Sequence, residues 1–361
     1  MDLSELHRSP LEAQHLAAGG KLVPFAGWAL PVQYDGIIAE HRAVRTACGV
    51  FDISHMGQFL VHPAGHIDAA AWLNGVLSND VTQLEPGQGQ YSLLLNDRAG
   101  IIDDLIVYRT GENHFFLIVN AARREQDLEW LTAKAPPGMT LIDRSVAYGA
   151  LAIQGPEASR VFAAIMPAGA ELPPRFGIGE WGDATICRTG YTGEDGFELC
   201  APAEALPGWW EKVMAAGAKP CGLGARDLLR LEKCYPLNGN DLSEETTALE
   251  AGLGFAVAWE KGDFIGREVL QEQRRQGPQR RLVALKVSGK TPPPRPGYAV
   301  YANEEQGEPT SQLTSGGFSP GLEAGIALAY VPNGLHRTGT RLWIEIRGNR
   351  YSAEVVPKPF L

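Results

Sequence analysis

The sequence predicts an α+β protein of two or three domains, on three observations. The chain has 361 residues, more than one hydrophobic core ordinarily serves. Residues 36–133 alternate helix-like and strand-like segments over short spans, as a compact α+β unit does. From residue 282 onward short strands and turn clusters dominate with little helix, the pattern of a small β domain or barrel.

The first element is an amphipathic helix over 36–48. Ile37, His41, Val44 and Cys48 fall at helical spacing and Gly49 follows as a stop. Strands are expected at 57–61 and 91–95, with a helix over 67–77 between them. Residues 96–100, Asn-Asp-Arg-Ala-Gly, form a turn, so 91–95 and 101–108 pair as a hairpin. A strand at 114–120 and a charged amphipathic helix over 123–133 complete this block. A strand at 146–154 then runs into Gly155-Pro156, which opens a helix at Glu157, where proline's missing N–H costs least. Strands at 185–188 and 197–200 flank a glycine-rich turn. Helices follow at 206–216 and 225–233. The charged, Gln-rich stretch 271–281 reads as a linker, and strands at 282–287, 298–301, 324–330 and 342–346 make up the tail.

Hydrophobic content of 44% and charged content of 20% belong to a soluble globular protein. A net charge of −10 argues against nucleic-acid binding, which needs a basic surface, though a local basic pocket is allowed. No apolar run reaches the length of a membrane span, and residues 1–10 have no signal-peptide core. The expected location is the cytoplasm. The five cysteines are odd in number and none are spaced as CxxC, which speaks against a disulfide framework or zinc site and for a reducing compartment. They read as buried small hydrophobes.

The most informative segment is 100–108, Gly-Ile-Ile-Asp-Asp-Leu-Ile-Val-Tyr. Strand alternation puts Asp104 on one face with Ile102, Ile106 and Tyr108, and Asp103 on the other with Ile101, Leu105 and Val107. Both faces are otherwise apolar, so at least one carboxylate is buried or walls a cleft, and needs a partner or a ligand. The competing reading is a strand end whose acids pair with a nearby Arg. Alternation alone leaves open which of the two faces a ligand.

The loop 188–199, Arg-Thr-Gly-Tyr-Thr-Gly-Glu-Asp-Gly-Phe-Glu-Leu, is rich in glycine, which lets a backbone approach a ligand closely. Glu198 alternates with Phe197 and Leu199, and a carboxylate there can take two parallel hydrogen bonds from an amidine-like edge. An ordinary polar hairpin tip is the alternative. At 221–227, Cys-Gly-Leu-Gly-Ala-Arg-Asp opens a helix without matching a P-loop or GxGxxG. Arg226 in its first turn, with Arg230 one turn on, suits a carboxylate or phosphate. A structural bridge from Arg226 to Asp227 or Glu232 is equally consistent. The eight histidines make no metal site: His62 and His66 are separated by Pro63 and Gly65, which rule out a regular helix. His55 could act as a base, but no nucleophile pairs with it in the sequence.

Taken together, these segments resemble the aminomethyltransferase, or T protein, family of the glycine cleavage system. The resemblance runs nearly end to end through Phe25-Ala26-Gly27-Trp28, Phe51-Asp52-Ile53-Ser54-His55-Met56-Gly57, 100–108, Gln154-Gly155-Pro156, 188–199, 222–232, Phe264-Ile265-Gly266-Arg267-Glu268 and 313–320. It implies three domains around a central channel that holds tetrahydrofolate. The expected division is a central α+β domain of 1–54 plus 146–280, an inserted α+β domain of 55–145, and a C-terminal β domain of 281–361. The implied donor is an aminomethyl group on the dihydrolipoyl arm of lipoylated H protein, with no metal involved. Asp104 matches the family's essential aspartate, and Glu198 would read the pterin. Met56, Tyr91, Tyr108, Tyr191 and Arg226 match folate-channel positions, and Asn120 and Tyr235 fall near the same cavity.

Two departures from the family pattern stand out. Asn238 and Asn240 replace the usual Tyr and Gln of one channel wall. The sequence stops at Lys358-Pro359-Phe360-Leu361, where many relatives continue, which would leave out a C-terminal basic contact. Docking of an acidic H protein to an acidic chain needs a local basic rim, for which Arg295, Arg337, Arg341, Arg347 and Arg350 are candidates. Two other functions share this scaffold: a folate-dependent demethylase of a sulfonium or N-methyl compound, and a non-catalytic folate-binding accessory protein. Such accessory relatives tend to lack the Asp104 equivalent and carry Lys-Gly-Cys-Tyr. Here Asp104 is present and Lys233-Cys234-Tyr235 lacks the glycine, which favours an enzyme.

Overall fold

The computed structural model describes residues 3–305 and 307–361. The chain divides into two compact units. The first comprises residues up to Ser92 together with Asp104–Asp227, and the second Leu93–Asp103 together with Leu228–Leu361.

The first unit contains a six-stranded sheet in the order Ile178–Trp181, Ala184–Cys187, Gly196–Pro202, Tyr148–Gln154, Gly49–Asp52, Lys219–Pro220. Helices Ala158–Ile165 and Leu206–Ala215 cover it. The first of these buries Ala158, Val161, Phe162 and Ile165, an i, i+3, i+4, i+7 stripe, against Ile153, Phe197 and Leu199 of the strands. The Phe162 ring meets Phe197 edge-on at 5.4 Å. A second sheet has five strands, in the order Gly89–Leu95, Ile101–Arg109, Phe115–Val119, Gly57–Pro63, Met139–Asp143. Its first two strands form the expected hairpin, whose tip, Leu93–Asp103, belongs to the second unit. A small sheet of His7–Arg8, Trp28–Gln33 and Lys21–Phe25 was not foreseen, because Pro24 and Pro31 break its strand pattern.

At the end of strand Gly49–Asp52, the buried Asp52 carboxylate anchors the turn that carries His55 and Met56. It accepts hydrogen bonds from the Ser9 hydroxyl, from His15 Nε2 at 2.7 Å and from the Ser54 N–H at 2.8 Å. His15 Nδ1 meets the Tyr34 hydroxyl at 2.8 Å. Burial alone would raise the Asp52 pKa, but the His15 contact and the two serine donors outweigh it and hold the carboxyl below its usual range.

The second unit is built on a closed six-stranded barrel: Arg280–Val287, Ala324–Pro332, Ser311–Ser319, Ala299–Tyr301, Arg341–Ile346, Asn349–Val356. Alternate residues Val283, Leu285 and Val287, and likewise Ala327, Ala329 and Val331, fill its interior. The intervening Leu282, Ala284, Ile326, Leu328 and Tyr330 pack outward against Leu231 and Cys234. That explains why 324–331 is apolar without a break. The strand Ser311–Ser319 escapes sequence reading because of Gly316 and Gly317. A Cβ on Gly316 would lie 3.0 Å from the Pro294 backbone, and one on Gly317 2.8 Å from Leu228. The expected linker at 271–281 is corrected. It is the helix Arg267–Gln276 with Leu270 buried, running on to the barrel's first strand. Its Glu, Gln, Leu and Arg are all strong helix formers, and that propensity outweighs the polar composition. Arg350, one candidate for a basic rim, holds the carbonyls of Asn303 and Glu304 and lies over the Tyr301 ring.

A buried ion pair organises this unit. Arg230 donates to Asp241 Oδ2 at 2.7 Å, to the Ser315 hydroxyl at 2.8 Å and to the Tyr235 carbonyl at 3.2 Å. Asp241 also accepts the Leu237 N–H at 2.9 Å, and its backbone carbonyl accepts the Tyr330 hydroxyl at 2.7 Å. Arg230→Met should therefore destabilise the protein by about 3–5 kcal/mol in urea unfolding, because it strands a buried carboxylate.

His55, buried in the turn that Asp52 anchors, has its pKa driven down to about 4 by burial and then by the Arg226 charge, with Asp52 opposing. The unfolded chain takes up this proton below about pH 6.5 and the native state refuses it, so stability should fall as pH drops from about 6.5 to about 4, by about 3 kcal/mol. Asp52 adds a further loss only below that window, as pH falls through its lowered folded value. Urea midpoints measured across pH 3–8 should show both phases, and His55→Gln should flatten the upper one alone.

Candidate functional site

The strand Ile101–Arg109 sets the geometry. Its pairing with Phe115–Val119 places Ile106 opposite Ile118 and Tyr108 opposite Phe116. Continuing that register brings Asn120 opposite Asp104. The pairing of Gly57 with Val119 brings Met56 alongside in turn. Met56 is half-buried there. Asp103, on the other face, has no exposed surface, whereas Asp104 is only half-buried. Asp104 is thus the acid that a ligand can reach.

Two side chains fix the Asp104 carboxylate. The Tyr91 hydroxyl donates to Oδ2 at 3.0 Å. Asn120 Nδ2 donates to Oδ1 at 3.0 Å and to the Asp104 backbone carbonyl at 2.9 Å. Tyr91, Asp104 and Asn120 therefore form one group, and Met56 lies in the bend just before the strand Gly57–Pro63.

A second group forms around Glu198. The strand Gly196–Pro202 places it opposite Cys187 and Ala152, where it is 8% exposed. The Thr189 hydroxyl donates to Glu198 Oε2 at 2.7 Å. That uses its proton, so the Tyr108 hydroxyl, 2.7 Å away, donates to Thr189. Burial raises the Glu198 pKa, and the Thr189 bond and the Arg226 charge only partly offset this. Burial likewise keeps the Tyr108 phenol well above its usual value, so it remains a donor.

Arg226 sits in the first turn of helix Leu223–Glu232, with its guanidinium 4.9 Å from the centre of the Tyr191 ring. Its Nη1 is buried without a hydrogen-bond partner, and burial lowers its pKa against the pull of Glu198 and Tyr191. Arg230 does not join it in an anion site, because Asp241 holds Arg230. The two arginines, one turn apart, have different work. Tyr235 lies in the second unit, half-buried, and its N–H donates to the Arg230 carbonyl at 3.0 Å.

Sequence reasoning missed the residues that shape the glycine-rich loop. Gln154 donates from Nε2 to the Thr189 carbonyl at 3.1 Å and accepts from the Thr192 hydroxyl at 2.8 Å. A Cβ on Gly190 would come within 1.9 Å of the Gln154 side-chain oxygen, so a larger residue there would have to displace the Gln154 amide. Arg45 ties the loop by bonds to the Thr192 carbonyl at 2.7 Å and to Glu194 at 2.9 Å. The one signal for these contacts was the place of Gln154 in the Gln-Gly-Pro segment.

His55 and the cysteines are shielded from ligand chemistry. His55 has its Nδ1 buried without a partner, stacks edge-on against Phe25 at 5.4 Å, and stays neutral. All five cysteines are buried free thiols. Burial pushes Cys48 and Cys200 up to about 12, so neither is poised as a thiolate. Among the described residues no three His, Cys, Asp or Glu side chains are grouped to hold a metal ion, and no helix is long and apolar enough to cross a membrane.

Comparison with known proteins bears on what this arrangement serves. Residues 11–261 match the GCVT N-terminal domain, and residues 280–361 match the glycine cleavage T-protein C-terminal barrel domain. An aminomethyltransferase of Picosynechococcus sp. is 47% identical, with 98% of each chain covered. One from Geobacillus kaustophilus is 43% identical over the same shares. The crystal structure of glycine cleavage system aminomethyltransferase T from Bartonella henselae superposes with a TM-score of 0.92 at 37% identity, covering 99% of this chain and 98% of that one. The chain belongs to the glycine cleavage T-protein family, a family of folate-dependent aminomethyltransferases.

Proposed function

We propose that the chain transfers the methylene carbon of an aminomethyl group, carried on the dihydrolipoyl arm of H protein, to tetrahydrofolate. Ammonia and the dihydrolipoyl arm leave. The observation that carries this reading is Asp104: a half-buried carboxylate, held at both oxygens, on a strand face with Ile106 and Tyr108.

Tetrahydrofolate supplies the amine that accepts the carbon. The donors and acceptors present fit it. Glu198 has one oxygen, Oε2, bound by Thr189, and its other oxygen, Oε1, suits the adjacent N–H donors of a pterin edge. Arg226 Nη1 is an unmet donor for a folate oxygen. Asp104 takes the proton shed at the reacting amine. Tyr91 and Asn120 keep its carboxylate plane fixed, so no reorientation is needed at the moment of transfer. Tyr108, through Thr189, fixes the direction of Glu198. We assign the sites as Asp104 for catalysis and Met56, Tyr91, Tyr108, Asn120, Tyr191, Glu198, Arg226 and Tyr235 for folate binding.

The primary test supplies aminomethylated, lipoylated H protein to the purified chain, with and without tetrahydrofolate, and follows methylenetetrahydrofolate. Product that depends on folate supports the reading. Tight folate binding without product would assign a different donor. Asp104→Asn should lower turnover by roughly 10²–10⁴-fold with folate binding nearly unchanged. Strong loss from Asp103→Asn and none from Asp104→Asn would overturn the assignment.

Glu198→Gln should act differently. The amide offers an N–H2 where the pterin edge also donates, so KM for tetrahydrofolate should rise about tenfold or more while kcat changes little. Steady-state kinetics with folate varied would separate the two effects.

A further inference from the structure

The helix that carries Arg226 begins on a buried carboxylate that has no part in the chemistry above. Glu40, on helix Ile37–Thr46, is 3% exposed. Its Oε1 accepts the Tyr34 N–H at 2.6 Å and the Gly36 N–H at 3.0 Å. Its Oε2 accepts the Gly222 N–H at 2.8 Å. The Gly222 carbonyl in turn accepts the Arg226 N–H at 3.1 Å, the bond that closes the first helical turn. One carboxylate thus gathers three backbone amides, two just ahead of its own helix and one 182 positions beyond Glu40.

The fit leaves little slack. A Cβ on Gly222 would lie 2.4 Å from the Val32 carbonyl carbon, and one on Gly224 would lie 2.5 Å from Ile37 Cδ1. The Cys221 N–H bonds the Val50 carbonyl at 2.9 Å, so the residue before Gly222 is pinned as well. The first N–H groups of a helix lack intrahelical partners, and a carboxylate there also opposes the positive end of the helix dipole. Filling space would not require a charge at this point. A saturated, buried carboxylate fixes where the first turn starts, and with it the base from which the Arg226 side chain reaches over the Tyr191 ring, where its charge acts on Glu198.

We propose that Glu40 is a positioning residue for Arg226: by holding the Gly222 amide it sets the guanidinium for folate. This rests on the reading that Arg226 contacts folate. A shift of one ångström at a binding group is enough to weaken its bond to a ligand severely.

The test is a double-mutant cycle on the full-length protein, with tetrahydrofolate as the titrant and its Kd read by calorimetry. Arg226→Met should weaken binding by roughly 10- to 100-fold. Glu40→Gln, whose N–H2 opposes a backbone N–H, should weaken it by about fivefold or more in the wild-type background. In the Arg226→Met background it should add less than about twofold, because the group it positions is gone. If Glu40→Gln is poorly folded, Glu40→Asp keeps the charge but is too short to reach both segments. It is then measured below its own melting temperature, with the same pattern expected. A Glu40 variant that melts lower but binds folate as tightly as wild type overturns the proposal, as does a full additive loss in both backgrounds. Unchanged binding by Arg226→Met alone would instead refute the Arg226 reading and take this proposal with it. The two failures are therefore told apart by the first variant.

Discussion

A β-strand cannot send two neighbouring side chains to the same face. In the strand Ile101–Arg109 that constraint sends Asp103 into the interior and leaves Asp104 at an accessible surface, held by Tyr91 and Asn120. A register slip of one residue would exchange them. Everything that fixes the register therefore also fixes the chemistry. The ladder with Phe115–Val119 does so from one side. At the other end Gly100 has the Glu244 carbonyl so close that a Cβ would lie 1.8 Å from it, which leaves no room to slide a larger residue into that place.

The buried carboxylates differ in how completely they are satisfied. Asp52 accepts from Ser9, His15 and Ser54, Glu40 from three backbone amides, and Asp241 from Arg230, Ser315 and Leu237. A buried charge is tolerated when hydrogen bonds replace its lost water, and these three meet that condition. Glu198 differs from these three, with one hydroxyl donor and a raised pKa. Nearby, Arg226 holds a buried N–H with nothing to give it to. Incomplete pairing of opposite kinds in one region is a local cost, and such costs are expected where a ligand completes the structure.

Local patterns made much of this legible. The helix opened by Gly155-Pro156, the 91–95 and 101–108 hairpin with its 96–100 turn and the short strands of the tail follow from local sequence, and the segments from Phe25 to Pro320 in order were enough to suggest the family. What stayed hidden depended on contacts distant in sequence. The separate fates of Arg226 and Arg230, one turn apart on one helix, are decided by Asp241 and Tyr191, which no periodicity reveals. The Glu40 clamp joins two segments through backbone amides, which carry no side-chain signature. Thr189 was indistinguishable from any turn threonine until Glu198 and Tyr108 were brought to it. The helix Arg267–Gln276 was lost for another reason: its polar face outnumbers its one buried leucine.

The hairpin tip Leu93–Asp103 has a history as well as a position. It belongs with Leu228–Leu361, and its fastenings are to the far segment: Ile101 donates its N–H to the carbonyls of Ser243 and Thr246, and Asn96 reaches Glu244 across 148 positions. During biosynthesis the tip therefore emerges long before the residues it is built against. Leu93, Leu94, Leu95, Ile101 and Ile102, all buried in the finished protein, must wait uncovered on the nascent chain. Closing so long a loop is slow, and an uncovered apolar ribbon is sticky while it waits. The strand that carries Asp104 is thus anchored at one end only after residues 243–246 have been made, so its completion waits on a segment far along the chain.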